Sequence, residues 1–122
     1  MRIGELAAIS GLSAHTIRYY ERIGLMPPAS RNGSGHRSYD PQALVWIEFL
    51  GRLKTTGMPL RDMLRYAKLR QLGAVSEAER RALLATHRDV VRAHVAELMT
   101  CLEVLDAKIA GYGGEPNTKA QQ

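Results

Sequence analysis

The sequence predicts a mainly α-helical protein, in which a compact helical N-terminal domain is followed by one long C-terminal helix. Three observations indicate this fold class. Short segments with apolar residues at helical spacing are separated by Gly and Pro. One polar segment between them has the composition of a small β-hairpin. Residues 76–110 contain neither Gly nor Pro, and their apolar residues recur every seventh position, as in a coiled coil.

The first two predicted helices are short and are joined by a tight turn. From Ile3 to Ser10 the apolar residues lie close to helical spacing, and Gly11 interrupts the pattern. Ser13 is a good N-cap for the second helix, because its hydroxyl can accept a hydrogen bond from an unpaired backbone amide. Ile17 and Tyr20 lie on one side of that helix. The polar and basic residues share the other side: His15, Arg18, Tyr19 and Arg22.

A hairpin is predicted next, because Gly24 ends the second helix and Pro27-Pro28 prevents its resumption. In residues 31–39, two short extended pieces flank a turn rich in Gly, Asn and Ser. A hairpin this short is not stable alone, so we expect it to pack against the helices.

Two further helices complete the N-terminal domain. Asp40 is the predicted N-cap of the third helix, with Pro41 at its first position. Its apolar residues are the largest set in the chain: Leu44, Trp46, Ile47, Phe49, Leu50 and Leu53. Gly57 ends it, and Pro59 opens a fourth helix over residues 60–72. We expect its inward residues to be Leu60, Met63, Leu64, Ala67 and Leu72.

The long helix is predicted to begin at Ser76, which forms a capping-box pattern with Glu79. At 1.5 Å per residue it spans roughly 50 Å, too long to be buried in a domain of this size, so it needs a partner. Two heptad rows form the predicted dimer seam, with Leu84, Val91, Leu98, Leu105 and Tyr112 in one and Val95, Leu102 and Ile109 in the other. Arg81 and Arg88 stand at the earlier places of the second row, which predicts different packing at the start of the helix. We therefore predict three regions: a domain over 1–72, a dimerisation helix over 76–112, and a polar, disordered tail over 113–122.

Charge is distributed unevenly along the chain. Residues 1–72 carry eleven Arg or Lys against five Asp or Glu, whereas the remainder carries six against seven. A basic first part is typical of a protein that meets a polyanion at one end, although a charge that serves solubility is the alternative. The chain has one cysteine, Cys101, so the only disulfide it could form is one between two subunits. Without an apolar leader or spanning segment, we expect a soluble cytoplasmic protein with no membrane partner.

The second helix and the hairpin are the candidate DNA-binding surface. In a helix-turn-helix the second helix enters the major groove with its first residues at the base edges. The hairpin would grip the phosphate backbone beside it. A second grip would come from the turn between the third and fourth helices. The candidate DNA-contacting residues are Ser13, Ala14, His15, Thr16, Arg18, Tyr19, Arg37, Ser38, Tyr39, Lys54 and Arg61.

These motifs together resemble the MerR family of transcription regulators. The matching runs are residues 3–7, Gly11-Leu12-Ser13, residues 16–21, residues 24–28, the hairpin run 35–40 and residues 53–58. His36 departs from the family pattern, which usually has Tyr there. The resemblance implies a winged helix-turn-helix, with the hairpin as the wing, and a homodimer joined by an antiparallel coiled coil of the last helices. It further implies binding to a pseudo-palindromic promoter, whose distortion controls RNA polymerase indirectly.

The sensor of such a regulator is not evident from the residues. Metal-sensing relatives place cysteines at the start of the long helix and in a loop after it, where this chain has none, so we expect no metal and no cofactor. The long helix resembles those of small members that respond to aldehydes or other electrophiles. Those members often carry a reactive cysteine in the third helix, close to the place where this chain has Gly51-Arg52. Cys101 is the remaining candidate thiol. It shares one edge of the helix with His87 and His94, and we interpret all three as residues at the edge of the dimer interface.

Two alternatives stay open at this point. The first is a non-specific architectural DNA-binding protein, which would share the basic domain and the dimer. The second is a coiled-coil interaction module with no role on DNA. An enzyme is not expected, because no paired carboxylates, nucleophile–base pair or phosphate-binding loop occurs at usable spacing.

Overall fold

A computed structural model of the chain describes residues 1–31, 33 and 35–113. In chain order the elements are α1 (Ile3–Ser10), α2 (Ala14–Arg22), β1 (Ser30–Arg31), β2 (Arg37–Ser38), α3 (Gln42–Thr55), α4 (Leu60–Gln71), a 3₁₀ turn (Gly73–Ser76) and α5 (Glu77–Gly113). The strands are antiparallel and pair Ser30 with Ser38 and Arg31 with Arg37. The predicted fold class is confirmed, with a two-stranded wing between two pairs of helices and a long C-terminal helix.

The helix ends follow the local signals in the sequence. Gly11 ends α1 with a φ of 80°, and its amide donates a 3.0 Å hydrogen bond to the Ala7 carbonyl. Ser13 caps α2, since its Oγ accepts from the Thr16 amide at 3.0 Å. Asp40 Oδ1 accepts from the Gln42 amide at 2.8 Å. The helix-turn-helix therefore forms at the predicted positions.

The chain divides into two compact units, the first being Met1–Leu84 and the second beginning at Ala85. The core of the first unit is formed by α1 to α4 and the segments that flank the wing. Its buried residues are Leu6, Ile17, Leu25, Met26, Tyr39, Trp46, Ile47, Leu50, Leu53, Met58, Met63 and Ala67. Trp46 is buried, and its indole N–H donates a 2.8 Å hydrogen bond to the Leu25 carbonyl. The Trp46 ring also stacks on Tyr66, with centroids 5.9 Å apart.

The predicted inward face of α4 is partly wrong. Met63 and Ala67 are buried as expected, but Leu60 is 47% and Leu72 61% exposed. Leu60 is the first residue of the helix and Leu72 follows its last, and neither is among the residues that pack against the core. Leu69 is buried instead.

The predicted capping box at the start of α5 does not form. Ser76 is buried, and its hydroxyl donates to the Leu69 carbonyl, while Glu79 binds Arg65 at 3.3 Å. The first turns of α5 belong to the first unit, where Leu83 and Leu84 pack against the core. This agrees with the expected change of packing at the start of the helix.

In the second unit, α5 continues to Gly113, and none of its residues is buried. Gly113 is helical and not part of a tail; the rest of the predicted disordered tail, residues 114–122, lies outside the described residues. Among the helices that the structure describes, none is both long and apolar enough to cross a membrane.

Candidate nucleic-acid interface

The outward face of α2 is basic and aromatic. His15, Arg18 and Arg22 are exposed, as expected from the sequence. Tyr19 is 39% exposed, and the Arg22 guanidinium lies 5.4 Å from its ring centroid. Such a face presents hydrogen-bond donors and positive charge, which suit base edges and phosphates.

The first residues of α2 hold the helix in shape. The Ser13 hydroxyl accepts from the Thr16 amide and donates to Thr16 Oγ1, both at 3.0 Å. Ala14 and Thr16 are half-buried. Ser13, the third DNA-contacting candidate in this turn, is exposed, but its hydroxyl already caps α2.

A single carboxylate, that of Glu21, joins α2 to both ends of the wing. Its Oε1 accepts from the Ala29 amide at 2.8 Å, immediately before β1. Its Oε2 accepts from the Tyr39 hydroxyl at 2.9 Å, immediately after β2. The Arg37 Nη2 atom lies 3.7 Å from Oε1, and the Glu21 side chain is only 6% exposed. We call Glu21, Ala29, Arg37 and Tyr39 the wing clamp.

Tyr39 corrects one detail of the sequence-based prediction. We expected its hydroxyl on the DNA-facing surface, but the residue is 3% exposed and the hydroxyl is bonded to Glu21. Burial, followed by the hydrogen bond and the charge of Glu21, raises the pKa of the phenol from 10.0 to about 12, against the opposing effect of Arg37 and Arg18. Tyr39 thus supports the wing from the core side.

The wing itself carries Arg31, Arg37 and Ser38. Arg31 Nη1 donates to the Gly35 carbonyl at 2.7 Å and so braces the turn. The Arg37 side chain is 43% exposed, so its guanidinium reaches solvent even though it lies near Glu21. Ser38 is half-buried, and its Oγ accepts from the Met1 amino group at 3.4 Å.

Arg18 on α2 and Arg37 on β2 both lower the pKa of the Tyr39 phenol by their positive charge, against the larger effects that raise it. Lys54 lies in the last turn of α3 and Arg61 in the first turn of α4. Arg61 is 84% exposed, with its Nε atom 3.9 Å from Asp62. Both residues are exposed, and their contact with a backbone phosphate stays a prediction.

The predicted dimer seam is partly exposed in the single chain. Val95, Leu98, Leu102, Leu105, Ile109 and Tyr112 are each 49–80% exposed. Leu84 differs, because it packs against the core of its own chain. Cys101 is exposed, and His94 Nδ1 lies 3.7 Å from Glu97. Within residues 1–31, 33 and 35–113, no group of three or more His, Cys, Asp or Glu is placed to hold a metal ion.

Glu21 is the residue that sequence reasoning missed. It stands four residues after the buried Ile17, so it lies on the packed side of α2 rather than on the basic side. A carboxylate on a packed face requires hydrogen-bond donors. The position of Glu21 on the packed face of α2 was therefore the signal in the sequence that could have identified it.

Comparison with known proteins gives a consistent result. Residues 1–69 match the family model described as MerR HTH family regulatory protein. An uncharacterised HTH-type transcriptional regulator of Haemophilus influenzae is 36% identical over 102 residues, which cover 84% of this chain and 76% of that protein.

Two solved structures are similar over most of the chain. One is the structure of a protein from Listeria monocytogenes that has been assigned to the MerR family of transcriptional regulators. It has a TM-score of 0.85 and 37% identity, and the match covers 92% of this chain and 85% of that one. HiNmlR, described as a MerR family regulator lacking the sensor domain, bound to promoter DNA, has a TM-score of 0.80 and 34% identity, covering 91% and 88%.

Proposed function

Since the chain belongs to the MerR family of helix-turn-helix transcription regulators, we propose that it binds promoter DNA with α2 in the major groove and the wing on the adjacent backbone. His15, Arg18 and Tyr19 would contact base edges or hold α2 in position on the DNA. Arg37, at the outer side of the wing clamp, would bind a phosphate, and Lys54 and Arg61 would bind further backbone.

The observation that carries this proposal is the wing clamp. One buried carboxylate holds the amide before β1 and the hydroxyl after β2, so α2 and the wing keep a fixed spacing. Fixed spacing lets Arg18 and Arg37 engage the duplex together without a cost for ordering the wing on binding. The promoter complex of HiNmlR, a relative that is similar over most of the chain, supports DNA as the ligand.

A homodimer is the expected binding form. MerR regulators act as dimers, and the heptad rows of α5 leave apolar side chains half-exposed in one chain. Pairing with a second α5 buries those rows. Two linked copies would then match the two halves of a pseudo-palindromic site.

The output we propose is control of transcription through promoter shape. Phosphate contacts from two linked subunits offset the energy of bending and untwisting the DNA, which brings promoter elements into line for RNA polymerase. The role is regulatory and not catalytic, in keeping with relatives that are transcriptional regulators. An electrophile is the proposed class of signal, with Cys101 as the candidate thiol.

The deciding experiment compares the gene's own promoter with a random duplex of equal length across a salt series. We expect tighter binding to the promoter at every salt concentration. Arg18→Gln should weaken promoter binding at least about tenfold, whereas Lys68→Gln, which removes a positive charge from exposed α4 surface, should have little effect. Equal affinity for both duplexes would favour the architectural alternative. If Arg18→Gln binds the promoter as tightly as the control and the wild type do, the proposed interface is contradicted.

A further inference from the structure

A pocket of about 260 Å³ lies against the inner side of the wing, within the first unit. It is lined by the segment that enters β1, the end of β2, the first turns of α3 and the end of α4. We call it the wing pocket. The residues that matter for its chemistry are Pro27, Ser30, Ser38, Asp40, Trp46 and Arg70.

The charged group of the wing pocket is Arg70. Its guanidinium carbon lies 4.3 Å from the centroid of the Trp46 ring, a cation–π contact. Arg70 is half-buried, and among the described residues no carboxylate lies within ion-pair distance of it. A partly desolvated guanidinium without a carboxylate partner favours binding of an anion, because its fork of donors matches a carboxylate.

The walls of the pocket are mostly apolar. Met26, Pro27, Pro28 and Ala29 form one side. Trp46 is 4% exposed, its indole N–H is bonded to the Leu25 carbonyl, and Tyr66 and the Arg70 guanidinium already lie against its ring, so it contributes little free surface. The proline segment supplies the apolar surface next to the cation, which suits a planar ring that carries an anionic group.

The size and charge of the pocket restrict the ligand further. A volume of about 260 Å³ is below the usual range for drug-sized ligands, so a single ring fits better than two. Asp40 also lines the pocket and is exposed, with one oxygen accepting from the Gln42 amide. Its negative charge opposes an anionic group anywhere near it, so the ligand can carry one such group and that group must lie at Arg70 rather than at Asp40.

We propose that the wing pocket binds a small aromatic monocarboxylate, with the ring against the wall formed by Pro27 and Pro28 and the carboxylate on Arg70. Ser30 and Ser38, the paired residues of β1 and β2, lie in the same pocket wall. A ligand there contacts the wing and α3 at once, so it has a higher affinity for the wing position held by the wing clamp than for a displaced wing.

That difference in affinity makes the ligand an effector of DNA binding, since a ligand shifts an equilibrium by its differential affinity for the two states. This last step rests on the proposed function, whereas binding to the pocket does not. The effector would act on the wing directly, by a route separate from the thiol of Cys101.

Trp46 is the single tryptophan of the chain, so its fluorescence reports on the pocket. Free protein without DNA is titrated with sodium benzoate, and a saturable change is expected. Arg70→Met keeps the apolar stem over Trp46 and removes the charge, so it should bind benzoate at least tenfold more weakly. Lys68→Gln removes a charge from the exposed side of the same helix and should bind like the wild type.

Three results would overturn the proposal: a signal that never saturates, unchanged binding by Arg70→Met, or equally tight binding of the neutral benzamide. Competition by inorganic phosphate at the same concentration as benzoate would also overturn it, because it indicates a site for the DNA backbone. If Arg70→Met does not fold, Ala43→Leu decides, since it fills the pocket and should abolish binding while Arg70 remains.

The same protein is then tested on promoter DNA with and without benzoate, and a change in affinity is expected. No saturable benzoate binding, with specific DNA binding intact, would overturn this inference alone. Saturable benzoate binding without specific DNA binding would instead overturn the proposed function.

Discussion

The phenol of Tyr39 donates a 2.9 Å hydrogen bond to the carboxylate of Glu21, eighteen residues earlier in the chain. This bond fastens the end of the wing to the helix that we propose to read DNA. The same carboxylate holds the Ala29 amide at the start of the wing. Damage to Glu21 should therefore alter the wing at both of its ends, and the first two predictions test this.

Glu21→Gln should lower the free energy of unfolding by about 1–3 kcal/mol, because an amide cannot serve the Ala29 amide and the Tyr39 hydroxyl as two charged oxygens do. Promoter affinity should fall with it. Glu48→Gln, on the exposed side of α3, is the matched control and should change stability by less than about 0.5 kcal/mol. Urea unfolding measures both variants, and equal stability of Glu21→Gln and wild type would contradict the wing clamp.

Tyr39→Phe should be less stable than wild type by about 1 kcal/mol at neutral pH, since the hydrogen bond to Glu21 is lost. The folded pKa of the phenol is raised from 10.0 to about 12, so its stabilising contribution is complete below pH 10 and is lost as the pH rises towards 12. The stability difference between the two proteins should therefore shrink over that interval. Unfolding curves at a series of alkaline pH values check this, and a constant difference would refute it.

Leu98→Asp should dissociate the dimer, because it places a charge in the middle of the apolar rows of α5. We expect the dimer dissociation constant to rise at least about a hundredfold, as two charges are introduced per dimer. Thr100→Asp adds the same charge two positions away, outside the heptad rows, and should remain dimeric. Sedimentation equilibrium distinguishes them; a dimeric Leu98→Asp protein would place the interface elsewhere.

Cys101→Ser should abolish any response of the regulator to an aldehyde or other electrophile, since Cys101 is the single thiol of the chain and is exposed. DNA binding without the electrophile should be unchanged. The measurement is promoter activity in cells with and without the electrophile. A serine variant that responds as the wild type does would end the thiol hypothesis and leave the wing pocket as the candidate input.

The helix ends could be predicted because their signals are local. Gly11, Ser13 and Asp40 each act on backbone groups within four residues, and each does what the sequence indicates. The basic side of α2 was predicted for the same reason, since residues on one helix face repeat at short intervals.

The wing clamp could not be predicted in detail, because it joins residues far apart in sequence. The pattern could place Tyr39 in the wing, but only the fold shows that its ring is buried and its hydroxyl is bonded to Glu21. Leu60 and Leu72 fail for a related reason. Their spacing is that of a core face, yet they lie at the two ends of α4 and the fold leaves them exposed, while Leu69 is buried.

The turn of the helix-turn-helix depends on handedness and not on space. Gly11 has a φ of 80°, but a methyl group added at its Cα would meet no atom within 4 Å. An L-residue there is penalised by its own backbone, by roughly 1–2 kcal/mol, while its mirror-image form prefers this region. D-alanine introduced at this position by chemical ligation should therefore stabilise the turn, which L-alanine would destabilise. Glycine stands here because the chain is built of L-residues, which disfavour a positive φ.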